Sequence, residues 1–177
     1  MNYMIINDVR YNTELITALK PDSSLILLGR ERSGKSSAGN TILGTTELQS
    51  GRKTVMCAVG HGKVLRWPVA VVDTPGWSLY GLAKSQKDRQ QMQQSSLLCP
   101  RKSKVWFLLT IPVDFFKEQD RRALEENLAV LGNSVWRRTA VLFTYGCKLV
   151  GRTFEEHIKA KGEPLRWVVE RCSHSVT

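Results

Sequence analysis

Hydrophobic and polar positions follow two different patterns along this chain. Short runs that are apolar or rich in β-forming residues are typical of buried strands. The runs that we interpret in this way are LILLG at 25–29, VLRW at 64–67, VAVVD at 69–73, VWFLLTI at 105–111 and TAVLFT at 139–144. Between several of these runs, apolar residues recur every three or four positions, as they do on one face of a helix.

The helical patterns occupy most of the intervals between the strands. They predict helices at 35–43, at 118–132 and from about Pro164 onward. They also predict a short helix at 11–19, and a mobile helix or loop in the glutamine-rich stretch 82–96. Because strands alternate with helices, we expect an α/β fold with a mostly parallel sheet and helices on both of its faces.

Three of the predicted strands end in residues that can take part in ligand binding. Open sheets of this class bind their ligands beyond the carboxyl ends of the strands. Gly29, Asp73 and Thr144 stand at such ends and are therefore candidate ligand-binding residues.

The strand that ends at Gly29 is followed by a phosphate-loop motif. Gly29–Ser36 matches G-x-x-x-x-G-K-[ST], with an apolar strand before it and a helix after it. Backbone N–H groups of such a loop converge on phosphate oxygens, Lys35 would bridge the outer phosphates, and the Ser36 hydroxyl would ligate Mg²⁺. A structural turn that contains a lysine is the alternative. The candidate nucleotide contacts are Gly29, Arg30, Glu31, Arg32, Ser33, Gly34, Lys35, Ser36 and Ser37.

A second motif, VVDTPG at 71–76, follows at a plausible distance along the chain. Asp73 could hold a magnesium-bound water, and the Gly76 N–H could contact a γ-phosphate. A tight Pro-Gly turn is the other interpretation. Between the two motifs, Thr54 is the candidate to close over the metal, with Thr45 and Thr46 as alternatives.

Composition limits the compartment and the partners. The formal net charge is +10, but the basic residues are spread in ones and twos without an RNA-binding motif, so we expect no nucleic-acid partner. The four cysteines form no CxxC pair, and the sequence shows no secretory signal and no membrane-spanning stretch. We therefore expect free thiols, a cytoplasmic location and no transmembrane anchor in this chain.

These residues resemble a known family. LLGRERSGKSSAGNTILG, TVMC, VVDTPGW and the long segment after Leu97 are similar to the GTPases of immunity-associated proteins, the GIMAP or AIG-type G domains. The resemblance implies a P-loop NTPase of the Ras-like G-domain class that binds GTP and GDP with Mg²⁺. It further implies slow hydrolysis and nucleotide-controlled self-association, with itself or with related G domains, on membranes or through partners. It divides the chain into an N-terminal extension, 1–22, and a G domain, 23–177.

The sequence departs from the family pattern at three places. Cys147 and Lys148 stand where a guanine-binding aspartate is usual, which weakens guanine recognition. Trp77 stands where Ras-like enzymes place a water-orienting glutamine. The family pattern continues beyond VVERC, so we expect the last strand and helix to be missing and a sheet edge to be exposed.

Two functions remain open. In the first, the chain is a magnesium-dependent GTP-binding protein with slow or partner-dependent hydrolysis. Lys35, Thr54 and Gly76 would then act on the γ-phosphate, while Ser36, Thr54 and Asp73 would manage the metal. In the second, it is a degenerate nucleotide-binding or non-enzymatic scaffold domain with weakened guanine specificity.

Overall fold

The computed structural model describes residues 3–6, 9–12, 19, 21–78, 86–149 and 151–173. Within these residues, seven strands form one sheet in the order β1-β2-β7-β6-β3-β5-β4. The strands are β1 (Tyr3–Ile6), β2 (Val9–Asn12), β3 (Ser23–Leu28), β4 (Ala58–Val64), β5 (Trp67–Asp73), β6 (Lys104–Pro112) and β7 (Thr139–Thr144).

The strands β5, β3, β6 and β7 run parallel to one another. β4 lies antiparallel at one edge, and the antiparallel pair β1–β2 lies at the other. The prediction of a mostly parallel sheet is therefore confirmed. The helices are α1 (Lys35–Leu43), α2 (Gln86–Gln94), α3 (Glu118–Ala129), α4 (Phe154–Lys161) and α5 (Glu163–Ser173).

Helices cover both faces of the sheet, as the sequence predicted. Side chains of a strand alternate between the two faces, and β3 is buried on both. Leu25 and Leu27 pack with apolar residues of α1 on one face. Ile26 and Leu28 belong to the larger core on the other face, together with apolar residues of α3 and α5. This packing fixes the carboxyl end of β3, where the phosphate loop begins.

The strand predicted at 64–67 is wrong in its bounds. β4 ends at Val64 and β5 begins at Trp67, so the chain turns at Leu65 and Arg66. Leu65 has a positive φ of 57° and is largely exposed, as a turn residue is. Pro68 lies inside β5, at a point where β4 but not β3 pairs with it. The missing N–H of the proline therefore leaves the β3–β5 ladder intact.

Several predicted helices also differ in extent. The helix predicted at 118–132 ends at Ala129 and is followed by a 3₁₀ helix at 133–138. The stretch 82–96 contains α2 at 86–94, while 79–85 lies outside the described residues. Helix α4 was not predicted, although a reciprocal capping box of Thr153 and Glu156 marks its start.

The edge of the sheet beside β7 is not open. β2 pairs antiparallel with β7 through Arg10 with Phe143 and Tyr11 with Leu142. The prediction of an exposed sheet edge is therefore wrong, because the N–H and C=O groups of β7 pair with a strand from the N-terminal segment. The helix predicted at 11–19 is contradicted at Tyr11, and 13–18 lies outside the described residues. A division at residue 22 stays a prediction.

Candidate functional site

The phosphate loop connects β3 to α1 with the geometry that anion binding requires. Gly34 precedes the first residue of α1 with a φ of 84°, and no side chain caps the helix. The N–H groups of the first turn are therefore available to an anion, which the positive end of the helix dipole also favours. Gly34 lies against Thr144, because a Cβ atom at Gly34 would be 3.3 Å from the Cβ of Thr144.

Lys35 lies buried beneath this loop. Its Nζ donates to the main-chain oxygen of Arg30 at 3.0 Å and points toward that of Gly29 at 3.4 Å. Burial lowers the pKa of Lys35 to about 8, although the charges of Asp73 and Glu31 raise it again in part. Burial leaves the ammonium group poorly solvated, and it makes no hydrogen bond to a carboxylate of the described residues. An anion in the pocket would therefore stabilise its charge.

Asp73 brings the candidate metal residues together. Its Oδ2 accepts hydrogen bonds from Ser36 Oγ at 2.6 Å and from Thr54 Oγ1 at 3.1 Å. The two hydroxyl oxygens are 3.4 Å apart. Asp73 is 1% exposed, and its Oδ1 is buried without a hydrogen-bond partner among the described residues. Burial raises the pKa of Asp73, while Ser36, Lys35 and Thr54 oppose that shift.

This cluster fits a magnesium ion. Mg²⁺ prefers hard oxygen ligands and keeps several waters, and two hydroxyls with an incompletely bonded carboxylate offer that chemistry. The described residues contain no group of three or more His, Cys, Asp or Glu side chains that could hold a metal ion.

Gly76 lets the chain after β5 approach the phosphate loop closely. A Cβ atom at Gly76 would be 2.6 Å from the main-chain nitrogen of Glu31 and 2.7 Å from its Cα. Glu31 N–H also donates to the Trp77 oxygen at 2.9 Å. Only a residue without a side chain fits between these two backbones, so the glycine is required by packing as well as by the proposed phosphate contact.

An open pocket of about 480 Å³ lies over the phosphate loop. Eight predicted site residues line it, namely Glu31, Arg32, Gly34, Lys35, Ser36, Ser37, Thr54 and Gly76. Four other lining residues were not predicted, namely Gly51, Arg52, Lys53 and Tyr145. Arg52 and Lys53, directly before Thr54, could have been predicted from the sequence as pocket residues, because a cation near a phosphate site can pair with the phosphate. Lys53 instead pairs with Glu31 across the pocket mouth at 2.6 Å.

Two predicted contacts, Arg30 and Ser33, have side chains that point away from the pocket. The Arg30 guanidinium stacks 4.5 Å above the Phe115 ring and lies 3.5 Å from Asp120. Ser33 Oγ is 2.6 Å from Thr110 Oγ1 in the core. These two residues can offer a ligand only their main-chain groups.

The end of β7 supports the loop from the opposite side. Thr144 Oγ1 donates to the main-chain oxygen of Ser33 at 2.7 Å, and the Tyr145 hydroxyl donates to that of Arg32 at 3.2 Å. Thr144 therefore acts on the loop and not directly on the pocket. Beyond them, Cys147 is exposed, and Lys148 donates to a carboxylate oxygen of Asp114. This hydrogen bond holds the pKa of Asp114 below its usual range.

The phosphate loop and the Asp73 cluster lie within the part of the chain that a family model matches. The model of the AIG1 family matches residues 23–177. The chain belongs to the AIG1 family. This AIG1 domain is 31% identical over 142 residues to GTPase IMAP family member 8 of Rattus norvegicus, which covers 77% of the chain. It spans only 20% of the length of that relative.

Solved structures with similar folds include Toc33 from Arabidopsis thaliana in complex with GDP and Mg²⁺. The TM-score is 0.61 at 15% identity, covering 92% of this AIG1 domain and 67% of that chain. Another structure reports that dimerization is important for the GTPase activity of atToc33 and psToc159, with a TM-score of 0.60 at 14% identity and coverage of 93% and 67%. At this identity the likeness shows the G-domain fold alone. No helix among the described residues combines the length and the apolar character that a membrane span needs.

Proposed function

We propose that this AIG1 domain binds GTP and GDP with Mg²⁺ and hydrolyses GTP slowly unless a partner assists. The observation that carries the proposal is the convergence of Ser36 and Thr54 on one buried carboxylate, directly beside the phosphate loop. The main-chain amides of the loop and Lys35 would hold the phosphates. Ser36 would ligate the metal, Asp73 would hold its water shell, and Thr54 and Gly76 would respond to the γ-phosphate.

Slow hydrolysis is proposed because Trp77 follows Gly76 and is buried at 8% exposure. An indole at this position offers one N–H donor and no acceptor, so it cannot orient a water molecule as a glutamine would. A second G domain could supply the missing group. Dimerization is important for the activity of the Toc components, which have a similar fold. We therefore propose nucleotide-controlled self-association, with a second copy or with a related G domain.

We also propose a cytoplasmic location, with peripheral contact to membranes through partners. The four cysteines are free thiols, which fits a reducing compartment.

Nucleotide titration tests the proposal. Protein stripped of nucleotide is titrated with fluorescent GTP, GDP and ATP, with and without Mg²⁺, beside Lys35→Ala. We expect binding that depends on magnesium and is lost in Lys35→Ala. An Arg122→Ala control changes an exposed residue of α3 and should bind as the wild type does. Equal, weak binding of all three nucleotides by wild type and Lys35→Ala would contradict the proposal.

The segment that contains Cys147 favours a second candidate function, in which the domain binds nucleotides without preference for guanine. Cys147 is a neutral thiol where an aspartate is usual. The carboxylate of Asp114 beside this segment is occupied by Lys148, and Lys161 donates to the Asp114 main-chain oxygen at 2.7 Å. Losing a charged acceptor for two base N–H groups costs about 2–4 kcal/mol. Guanine preference would then be weak.

The variant Cys147→Asp separates the two candidates. If the thiol is the cause of weak discrimination, the aspartate should raise the ratio of GTP to ATP affinity by at least about 30-fold. Cys147→Ser is the matched control, because it leaves the position neutral. A wild-type protein that already selects GTP strongly would reject the second candidate.

A further inference from the structure

Thr54 belongs to a segment, residues 51–57, that contains neither helix nor strand. Val55 and Met56 are 59% and 62% exposed, so burial in the core does little to hold this part of the chain. The described contacts hold the segment at three points. Lys53 pairs with Glu31, Thr54 donates to Asp73, and Cys57 is bonded to helix α2.

The hydrogen bonds between the segment and α2 join Cys57 to one residue of the helix, Gln91. The Cys57 N–H donates to Gln91 Oε1 at 3.0 Å, and the Cys57 thiol donates to the Gln91 main-chain oxygen at 3.4 Å. Gln91 is half-buried, whereas Gln93 and Gln94 of the same helix are exposed. Met92 and Cys57 also pack into the same hydrophobic core. Gln91 is therefore held in place on α2 and faces the segment that carries Thr54.

From this geometry we infer that Gln91 is a positioning residue that couples the Thr54 segment to helix α2. The inference rests on the proposed function and specifies how the same site is regulated. Helix α2 follows Gly76 along the chain, and residues 51–54 of the Thr54 segment line the pocket. The bond from Gln91 joins these two parts, so that a change at one is passed to the other.

The coupling has a defined consequence for nucleotide selection. A segment without regular structure loses conformational freedom when it closes over a ligand, and a bond that already restrains it reduces that cost. Thr54 already lies on Asp73, and under the proposed function it responds to the γ-phosphate, which only the triphosphate carries. Gln91 should therefore strengthen triphosphate binding more than diphosphate binding.

The test compares Gln91→Ala with two controls. Gln91→Glu keeps an acceptor oxygen at the same side-chain length and should behave as the wild type. Gln93→Ala makes the same change at an exposed position of the same helix. We expect Gln91→Ala to lower the ratio of GTP-analogue to GDP affinity about fivefold, the size expected for one lost hydrogen bond. A purely structural loss would weaken both nucleotides equally, leave that ratio unchanged and overturn the inference.

Hydrogen exchange without nucleotide provides the second measurement. In Gln91→Ala, peptides covering 51–57 should exchange faster than in the wild type and in both control variants. Unchanged exchange there would overturn the inference. Because this measurement needs no ligand, it decides the coupling even if the protein binds no nucleotide, which would reject only the proposed function.

Discussion

Replacing Lys35 by methionine should stabilise the empty protein while abolishing nucleotide binding. The pKa of Lys35 falls from 10.5 to about 8 because the ammonium is buried. At about 1.4 kcal/mol per pH unit, keeping this group charged at pH 7 costs the nucleotide-free fold roughly 3 kcal/mol. Below pH 8, Lys35 is charged in both the folded and the unfolded chain, and the full cost is present. Between pH 8 and 10.5 the folded chain releases a proton that the unfolded chain still binds, so the cost decreases.

The substitution also removes hydrogen bonds, which reduces the gain. Lys35 Nζ donates to the oxygens of Gly29 and Arg30. If each lost bond costs about 1 kcal/mol, the net gain from Lys35→Met is still about 1 kcal/mol. Methionine keeps the length of the side chain without its charge, so packing beneath the loop changes little.

Urea unfolding at pH 7 of protein stripped of nucleotide measures this difference. Lys53→Met is the matched control, because Lys53 is largely exposed and its ion pair with Glu31 should contribute at most about 1 kcal/mol. Adding MgGTP at about 100 times its dissociation constant should stabilise the wild type by about 2.7 kcal/mol and leave Lys35→Met unchanged. If Lys35→Met is less stable than the wild type without nucleotide, the buried charge does not oppose folding and the predicted stabilisation is wrong.

Three other substitutions test separate parts of the site and the core. Gly76→Ala should lower the free energy of unfolding by about 1–3 kcal/mol in urea, since its Cβ would be 2.6 Å from the Glu31 nitrogen, and an unchanged midpoint would contradict this packing. In Asp73→Asn, magnesium should no longer slow nucleotide release, whereas it should slow release from the wild type by about tenfold; a persisting magnesium effect would place the metal elsewhere. Burial lowers the pKa of His157. As the pH drops through 6.5, the unfolded chain binds a proton before the folded chain does, so the free energy of unfolding should fall. His157→Leu should flatten this dependence between about pH 7.5 and 5.5 in urea unfolding, and a dependence as steep as that of the wild type would contradict this effect of burial.

The parts of the fold that local sequence determines were predictable. The apolar runs at β3, β6 and β7 predicted strands that are buried on both faces, as the structure has them. A glycine-rich loop with this motif, between a strand and a helix, has few structural interpretations other than a phosphate loop. The candidate residues Ser36, Thr54 and Asp73 could be named because each type of side chain has a known preference for Mg²⁺. The structure brings these three side chains together.

Contacts between distant positions were not predictable from a single sequence. Arg30 lies in the phosphate loop, yet its guanidinium turns to Phe115 and Asp120 because α3 begins beside the loop in space. In the sequence, Gln91 is one of several glutamines in the stretch 82–96. Its hydrogen bond with Cys57, which the structure shows, sets it apart from the exposed glutamines of the same helix. Nothing in the local pattern of residues 3–12 indicates pairing with β7, because register between strands far apart depends on the whole sheet.

The pairing of β2 with β7 has a consequence for biosynthesis. Arg10 meets Phe143, so the ribosome has to translate more than a hundred further residues before the early segment finds its neighbour. At about 5–20 residues per second, this interval lasts on the order of ten seconds. During that time the nascent strands β1 and β2 have no docking surface, and chaperones can bind them. Slow translation before β7 would lengthen this exposure.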